Sequence, residues 1–122
     1  MKILLLAFYI WLIDNNIDFI YQPKCLWYLS DDGKKHRYLP DFLINNEYIE
    51  IKGNHLIDNN NNLINPRTQK ILIEKTKCLK DNNVKIINEN DIKKYLEYIN
   101  DHYGIKYLDS FKVKKNVKNK IN

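Results

Sequence analysis

The pattern of hydrophobic and polar residues changes several times along this chain, and each stretch predicts a type of secondary structure. Residues 3–13 form an uninterrupted apolar run, which predicts a buried first helix. Shorter apolar and aromatic runs, bounded by Pro, Gly, Asn and Asp, come next. They predict strands at residues 17–22, at residues 26–29, and from His36 onwards into Pro40.

The second half of the chain predicts a loop, a helix, a strand and a closing helix. Residues 54–65 are mostly polar, which is typical of a loop. Asn65 is a good capping residue and Pro66 suits the first helical position, so a helix is predicted from there to about residue 80. A β-branched strand at residues 84–87 and a helix ending near Gly104 follow. This alternation predicts an α/β fold.

A β-hairpin is predicted at residues 40–53, and its register can be counted. Asn45-Asn46 is the expected two-residue turn, because Asn tolerates the left-handed backbone that such turns require. Residues that face each other across this turn have numbers with a constant sum, so Asp41 faces Glu50. Their Cβ atoms should lie roughly 4.5–5.5 Å apart. Lys52, two residues beyond Glu50, should point to the same face.

A pair of facing carboxylates is costly unless something offsets its charge. At about 5 Å and an effective dielectric near 20, the two repel by roughly 3 kcal/mol, which a bound divalent cation would remove. The alternative is an ordinary surface ion pair, since Glu-x-Lys is common on exposed strands. Pro40 at the start of the hairpin and Gly53 directly after Lys52 favour a built site, because they fix how the chain enters and leaves it.

Pro40-Asp41, an eight-residue gap and Glu50-Ile51-Lys52 together resemble the PD-(D/E)XK signature of the restriction-endonuclease-like nucleases. The predicted order of elements is also similar to the αβββαβ core of that family across most of the chain. The resemblance implies a central mixed sheet flanked by helices, with a further helix at the C-terminal end. Many members carry an acidic residue on the first helix, whereas residues 3–13 contain none. The number of metal ions therefore stays open.

The resemblance also implies a chemistry and the residues that carry it. Asp41, Glu50 and the backbone carbonyl of Ile51 would hold Mg²⁺ or Mn²⁺, which prefer oxygen ligands. Lys52 would orient the attacking water and offset charge on the phosphate. Weaker candidates for DNA contact lie on the strand before Asp41 and on or near the following helix. They are His36, Gln69, Lys70, Lys75 and Lys77.

Composition and charge agree with a nucleic-acid partner. A chain of 122 residues suits one domain with a single core, which we assign to residues 1–111. The net charge of +5 suits a polyanion. Lys outnumbers Arg by 18 to 2, a bias that suggests an AT-rich coding sequence and hence a virus or mobile element. The positive charge is therefore weaker evidence for a nucleic-acid partner. Residues 112–122 form a basic tail, either an arm for DNA or a frayed terminus.

The cysteines and the apolar N-terminal run bear on localisation. Cys25 and Cys78 have no CxxC or His spacing around them, so neither a zinc site nor a disulfide framework is indicated. Residues 3–13 are too short to cross a membrane, and no small-residue cleavage site follows them. We therefore expect a protein of the cytoplasm or of the host nucleoid or nucleus, neither secreted nor membrane-bound.

The sequence thus predicts a Mg²⁺-dependent or Mn²⁺-dependent DNA endonuclease. One alternative is a catalytically inactive DNA-binding module of the same fold in a recombination, transposition or repair complex. Another is a small structural protein in which the hairpin charges form only a surface ion pair. The sequence does not distinguish homing, restriction, repair, junction resolution and transposon cleavage. Cutting both strands would require a homodimer.

Overall fold

The computed structural model of this protein describes residues 2–111. The described residues form two compact units, residues 2–17 with residues 90–111, and residues 18–89. The basic tail predicted at residues 112–122 lies outside the described residues. The helices are α1 (Ile3–Asp14), α2 (Ile73–Asp81) and α3 (Glu89–Tyr103), and the strands are β1 (Ile20–Tyr21), β2 (Leu26–Leu29), β3 (Lys35–Tyr38), β4 (Phe42–Ile44), β5 (Glu47–Ile51) and β6 (Lys85–Ile87).

A mixed sheet organises residues 18–89. Its strand order is β1-β4-β5-β6. The pairs β1/β4 and β4/β5 are antiparallel, whereas β5 and β6 run parallel. A parallel pair needs a crossover connection, and α2 lies within the one that joins β5 to β6. The predicted α/β class with a mixed sheet is confirmed.

The hairpin formed by β4 and β5 has the predicted register. Leu43 pairs with Tyr48, and Ile44 pairs with Glu47. The turn residues Asn45 and Asn46 have φ values of 50° and 64°, the left-handed conformation that a two-residue hairpin turn demands of both central positions. The counting that brings Asp41 opposite Glu50 is therefore sound.

One expected strand is divided between two sheets. The strand predicted to run from His36 into Pro40 ends at Tyr38, because β3 pairs with β2 in a separate two-stranded sheet. The next strand, β4, begins only at Phe42. Proline has no N–H to donate to a sheet, so the chain can change sheets at Pro40 without losing a ladder bond there.

The helix predicted from Asn65 begins later than expected. The Asn65 Oδ1 atom accepts two backbone N–H groups, as a capping residue does. Gln69, however, has a φ of 62°, which takes the chain off the helical path. Ile71 then pairs with Ile64, and α2 starts only at Ile73. Asn65 therefore caps a turn, but the pairing of Ile64 with Ile71 keeps the following residues out of the helix.

One core cluster of residues 18–89 lies between the β2–β3 sheet, the 57–63 loop and α2. Its α2 residues Cys78 and Leu79 are spaced so that they bury one face of that helix. Tyr38 at the end of β3 belongs to the same cluster. The buried members are Leu26, Tyr38, Ile57, Leu63, Cys78 and Leu79.

The other unit contains α1 and α3. Aromatic contacts join the two helices, since the rings of Phe8 and Trp11 each lie 4.9 Å from that of Tyr95. At the end of α1, the Asp14 carboxylate accepts hydrogen bonds from Tyr98 and Tyr103. The predicted first helix is confirmed and includes Asp14 as its last residue. In residues 2–111, no helix combines the length and apolar character needed to cross a membrane.

Candidate active site

Asp41 and Glu50 lie side by side at the open end of the hairpin. Asp41 directly precedes β4 and Glu50 lies on β5, and their carboxyl groups are hydrogen-bonded to each other. The Asp41 Oδ2 atom also accepts the backbone N–H of Ile51 at 2.8 Å. This bond fixes Asp41 against the neighbouring strand, just where the ladder between β4 and β5 ends. The hairpin thus brings the two predicted acids together.

Glu50 carries a buried carboxyl group that binds its proton more tightly than usual. The residue is 4% exposed. Burial is the main reason that the pKa of Glu50 is raised to about 8, and the hydrogen bond and negative charge of Asp41 add to the rise. Lys52 opposes it. Near neutral pH Glu50 therefore retains its proton in the metal-free protein and can donate it in a hydrogen bond to Asp41.

Lys52 points into the same site. Its Nζ atom lies 3.7 Å from the Glu50 Oε2 atom, and its side chain is 19% exposed. The backbone N–H of Lys52 donates to the Ile87 carbonyl at 3.0 Å, which continues the pairing of β5 with β6 beyond the last strand residue. The position of the ammonium group is therefore set by the sheet, and the expectation that Lys52 shares a face with Glu50 is confirmed.

Gly53 ends this segment, and two side chains approach it closely. Its φ of −66° is accessible to any residue. A Cβ atom at Gly53 would lie 2.9 Å from the Glu89 Oε1 atom and equally close to the His55 ring. The same Glu89 oxygen accepts the backbone N–H of Asn54 at 3.0 Å. A side chain at position 53 would disturb this contact.

Tyr38 faces the acids from β3 and was missed by sequence reasoning. Its residue is 4% exposed, and burial followed by the charge of Glu50 raises the pKa of Tyr38 well above its ordinary value. Although the hydroxyl lies beside the Glu50 carboxyl, it makes no hydrogen bond of normal geometry with any described residue. In the sequence, a tyrosine three residues before Asp41 looks like an ordinary core residue of a strand, so nothing there indicates that it lies beside the acids.

Lys75 reaches the site from α2. Its Nζ atom lies 5.7 Å from the centroid of the Tyr38 ring. Burial, followed by the positive charge of Lys52, lowers the pKa of Lys75, while Glu50 opposes this change. Lys75 was predicted only as a DNA contact near this region. The structure brings it close to Lys52 and Glu50, so the site contains two ammonium groups and two carboxyl groups.

The other candidate DNA contacts have local partners away from the acids. The His36 Nε2 atom lies 2.9 Å from the Ser30 Oγ atom, and the ring stacks on Tyr28. These contacts hold the His36 side chain, which lies on β3, against the turn that joins β2 and β3. Its assignment to DNA contact stays a prediction.

The remaining candidates lie on the surface. Gln69 donates from its Nε2 atom to the Pro66 carbonyl, and Lys70 is exposed in the same loop. Lys77 is exposed on α2, with its Nζ atom 3.7 Å from the Asp81 carboxylate. The structure shows no contact of these three side chains with Asp41 or Glu50, so their assignment to DNA contact stays a prediction.

The donor atoms at the hairpin suit a hard cation. Within residues 2–111 no cluster of three or more His, Cys, Asp or Glu side chains is placed to hold a metal. The donors are the two carboxylates and the Ile51 carbonyl. The N–H and C=O of one strand residue point to the same side, and the Ile51 N–H faces Asp41, so the Ile51 carbonyl points towards Asp41 as well. Mg²⁺ commonly takes one or two carboxylates and keeps several waters. Asp41, Glu50 and the Ile51 carbonyl meet that requirement.

A separate groove lies between β2 and α2. Its volume is about 600 Å³, and its lining includes Trp27, Tyr28, Ile73 and Cys78. None of the hairpin residues contributes to it. The groove and the acidic site are therefore different features of residues 18–89.

Comparisons with protein-family models, with curated proteins and with solved structures found no significant match to this chain. Its function is therefore inferred from the geometry of the hairpin site.

Proposed function

We propose that this protein is a metal-dependent DNA endonuclease with a restriction-endonuclease-like core. The observation that carries this proposal is the pair formed by half-buried Asp41 and buried Glu50, with the Lys52 ammonium 3.7 Å from Glu50. The chain order α1-β1-β4-β5-α2-β6 supports it, because this order is similar to the αβββαβ core once β2 and β3 are counted as an insertion.

The burial of Glu50 argues against a purely structural role. A surface ion pair would leave both partners in water, whereas Glu50 is 4% exposed. Removing a carboxyl group from water beside a second acid is unfavourable, and apolar residues of similar size often stabilise a fold more than buried charges do. Such an arrangement is typical of functional sites, where perturbed carboxyl groups cluster.

The groups that would hold Mg²⁺ or Mn²⁺ are the carboxylates of Asp41 and Glu50 and the carbonyl of Ile51. Bound there, the ion would supply polarisation of the phosphate and a water of lowered pKa. The Ile51 N–H keeps Asp41 in a fixed orientation at 2.8 Å. The protein therefore provides a set of oxygen donors at one end of the two central strands, β4 and β5.

Lys52 and Lys75 supply the positive charge that a phosphodiester needs. Lys52 is mostly buried beside Glu50, so its ammonium interacts with charge in surroundings of low dielectric. It would orient the attacking water and donate to the phosphate oxygen on which negative charge grows. Lys75 is close enough for its pKa to respond to Lys52, and it adds a second donor for the same phosphate.

A second candidate function is an inactive DNA-binding module of the same fold. It is favoured by the absence, within residues 2–111, of a third acidic or histidine side chain beside the pair. The Asp14 carboxylate at the end of α1 accepts hydrogen bonds from Tyr98 and Tyr103, so it has local partners. An enzyme and an inactive module differ in whether they bind the cation and turn over DNA.

The test is cleavage of supercoiled plasmid and of a branched oligonucleotide with Mg²⁺ or Mn²⁺, beside the same reactions in EDTA. We expect cutting only with metal, its loss in Lys52→Ala, and its retention in Lys85→Ala, which removes an equal charge from an exposed position on β6. Lys52→Ala should still bind DNA and metal. No cutting and no metal bound in calorimetry, with DNA binding intact, would support the inactive module instead.

A further inference from the structure

Tyr38 carries a buried hydroxyl group beside the Glu50 carboxyl. The residue is 4% exposed, and its hydroxyl makes no hydrogen bond of normal geometry with any of residues 2–111. A buried polar group without a partner is destabilising, because it has lost its hydrogen bonds to water. If only packing mattered at this position, Phe would fill the same space without that penalty.

The hydroxyl is directed at one particular group. It lies beside the Glu50 carboxyl, and the negative charge of Asp41 also acts on it. The Glu50 carboxyl is also faced by Asp41 from the start of β4 and by Lys52 on β5, while Lys75 approaches from α2. Tyr38 is thus the neutral hydrogen-bond donor in this set of side chains.

We propose that Tyr38 is a positioning residue of this site, whose hydroxyl donates a hydrogen bond to the Glu50 carboxylate when that carboxylate holds a divalent cation. This inference rests on the proposed function. In the metal-free protein, Glu50 has its hydrogen bond with Asp41. With a divalent cation on both carboxylates, the adjacent Tyr38 hydroxyl is the donor that can fix the orientation of Glu50. Metal-binding carboxylates are usually held by such outer hydrogen bonds.

The ring and the hydroxyl of Tyr38 have separable roles. The ring packs in the core with Leu26 and Leu79, and the Lys75 ammonium lies 5.7 Å above its centroid. Phenylalanine keeps all of these contacts and removes only the hydroxyl. Tyr38→Phe is therefore a clean test of the hydrogen bond. Tyr48→Phe is the matched control, because Tyr48 is half-buried and packs against the same core cluster.

The experiment measures Mn²⁺ binding to the full chain by calorimetry, together with unfolding in EDTA and plasmid nicking over a range of Mn²⁺ concentrations. Loss of an outer-shell partner typically weakens metal affinity by roughly 10- to 100-fold. We expect that weakening in Tyr38→Phe and wild-type affinity in Tyr48→Phe. In EDTA, Tyr38→Phe should be as stable as wild type or more so. Its nicking rate should recover when Mn²⁺ is raised to saturation.

The outcomes separate this inference from the proposed function. Wild-type protein that binds no Mn²⁺ would overturn both. Wild-type binding with an unchanged Mn²⁺ affinity in Tyr38→Phe would overturn the role of Tyr38 alone, whatever its cutting rate. A Tyr38→Phe protein that unfolds more easily than wild type in EDTA would also overturn it, since the hydroxyl would then already stabilise the metal-free fold.

Discussion

Replacing Glu50 by Gln should remove a pH dependence of stability that this site imposes on the metal-free fold. Burial is the main reason that the pKa of Glu50 is raised from 4.5 to about 8, so the folded protein keeps a proton that the unfolded chain releases. The favourable contribution is complete below pH 4.5 and is lost as pH rises through about 8. Gln has nearly the same shape as protonated Glu and does not titrate.

The size of the effect follows from the difference between the two pKa values. Each pKa unit corresponds to about 1.4 kcal/mol, so the step from 4.5 to about 8 gives an upper limit of about 5 kcal/mol. Water entry and local relaxation would reduce this value. Since small domains are stable by only about 5–15 kcal/mol, the loss should be easy to measure.

The assay is denaturant unfolding in EDTA, followed by tryptophan fluorescence at about pH 5 and about pH 9, which bracket the titration. We expect similar stability of the two proteins at the lower pH and greater stability of Glu50→Gln at the higher pH. Glu47→Gln, an exposed change on the same strand, is the control and should follow wild type. Parallel pH curves for wild type and Glu50→Gln would refute the reasoning.

Three further changes test other parts of the site. Asp41→Asn should abolish Mn²⁺ binding in calorimetry, yet leave the metal-free protein at least as stable near pH 9, because an amide can donate to ionised Glu50. Gly53→Ala should change the free energy of unfolding by less than about 1 kcal/mol, because loss of the Glu89 hydrogen bond opposes the lower entropy of the unfolded chain, and it should be more favourable in a Glu89→Ala background. Lys75→Met should slow plasmid cleavage without lowering stability in denaturant, because it removes a partly desolvated ammonium.

The features that the sequence predicts well are those set by neighbouring residues. The hairpin register depends on Asn45 and Asn46, whose left-handed conformation is a local property. The proximity of Asp41 and Glu50 follows from that register alone. Alternation and apolar runs were also enough to predict the α/β class and the order of its elements.

The features that the sequence does not reveal depend on packing between distant segments. Asn65 was predicted to cap a helix that begins at Pro66, but it caps only a turn, and the pairing of Ile64 with Ile71 delays the helix to Ile73. The role of Tyr38 depends on β3 leaving the main sheet, which no local pattern indicates. The inclusion of Lys75 likewise requires knowing which face of α2 turns towards β3.

The separate sheet of β2 and β3 has a consequence for how this protein can diverge. Because β1 pairs directly with β4, the chain between them is topologically an insertion, and insertions are usually the parts of a fold that are most freely exchanged. This one ends in Tyr38, whose hydroxyl lies beside Glu50. Its outer turn at residues 30–34 can vary in length, but its final strand cannot be replaced without altering the site. Residues 26–38 therefore combine an exchangeable turn with a side chain of the candidate site.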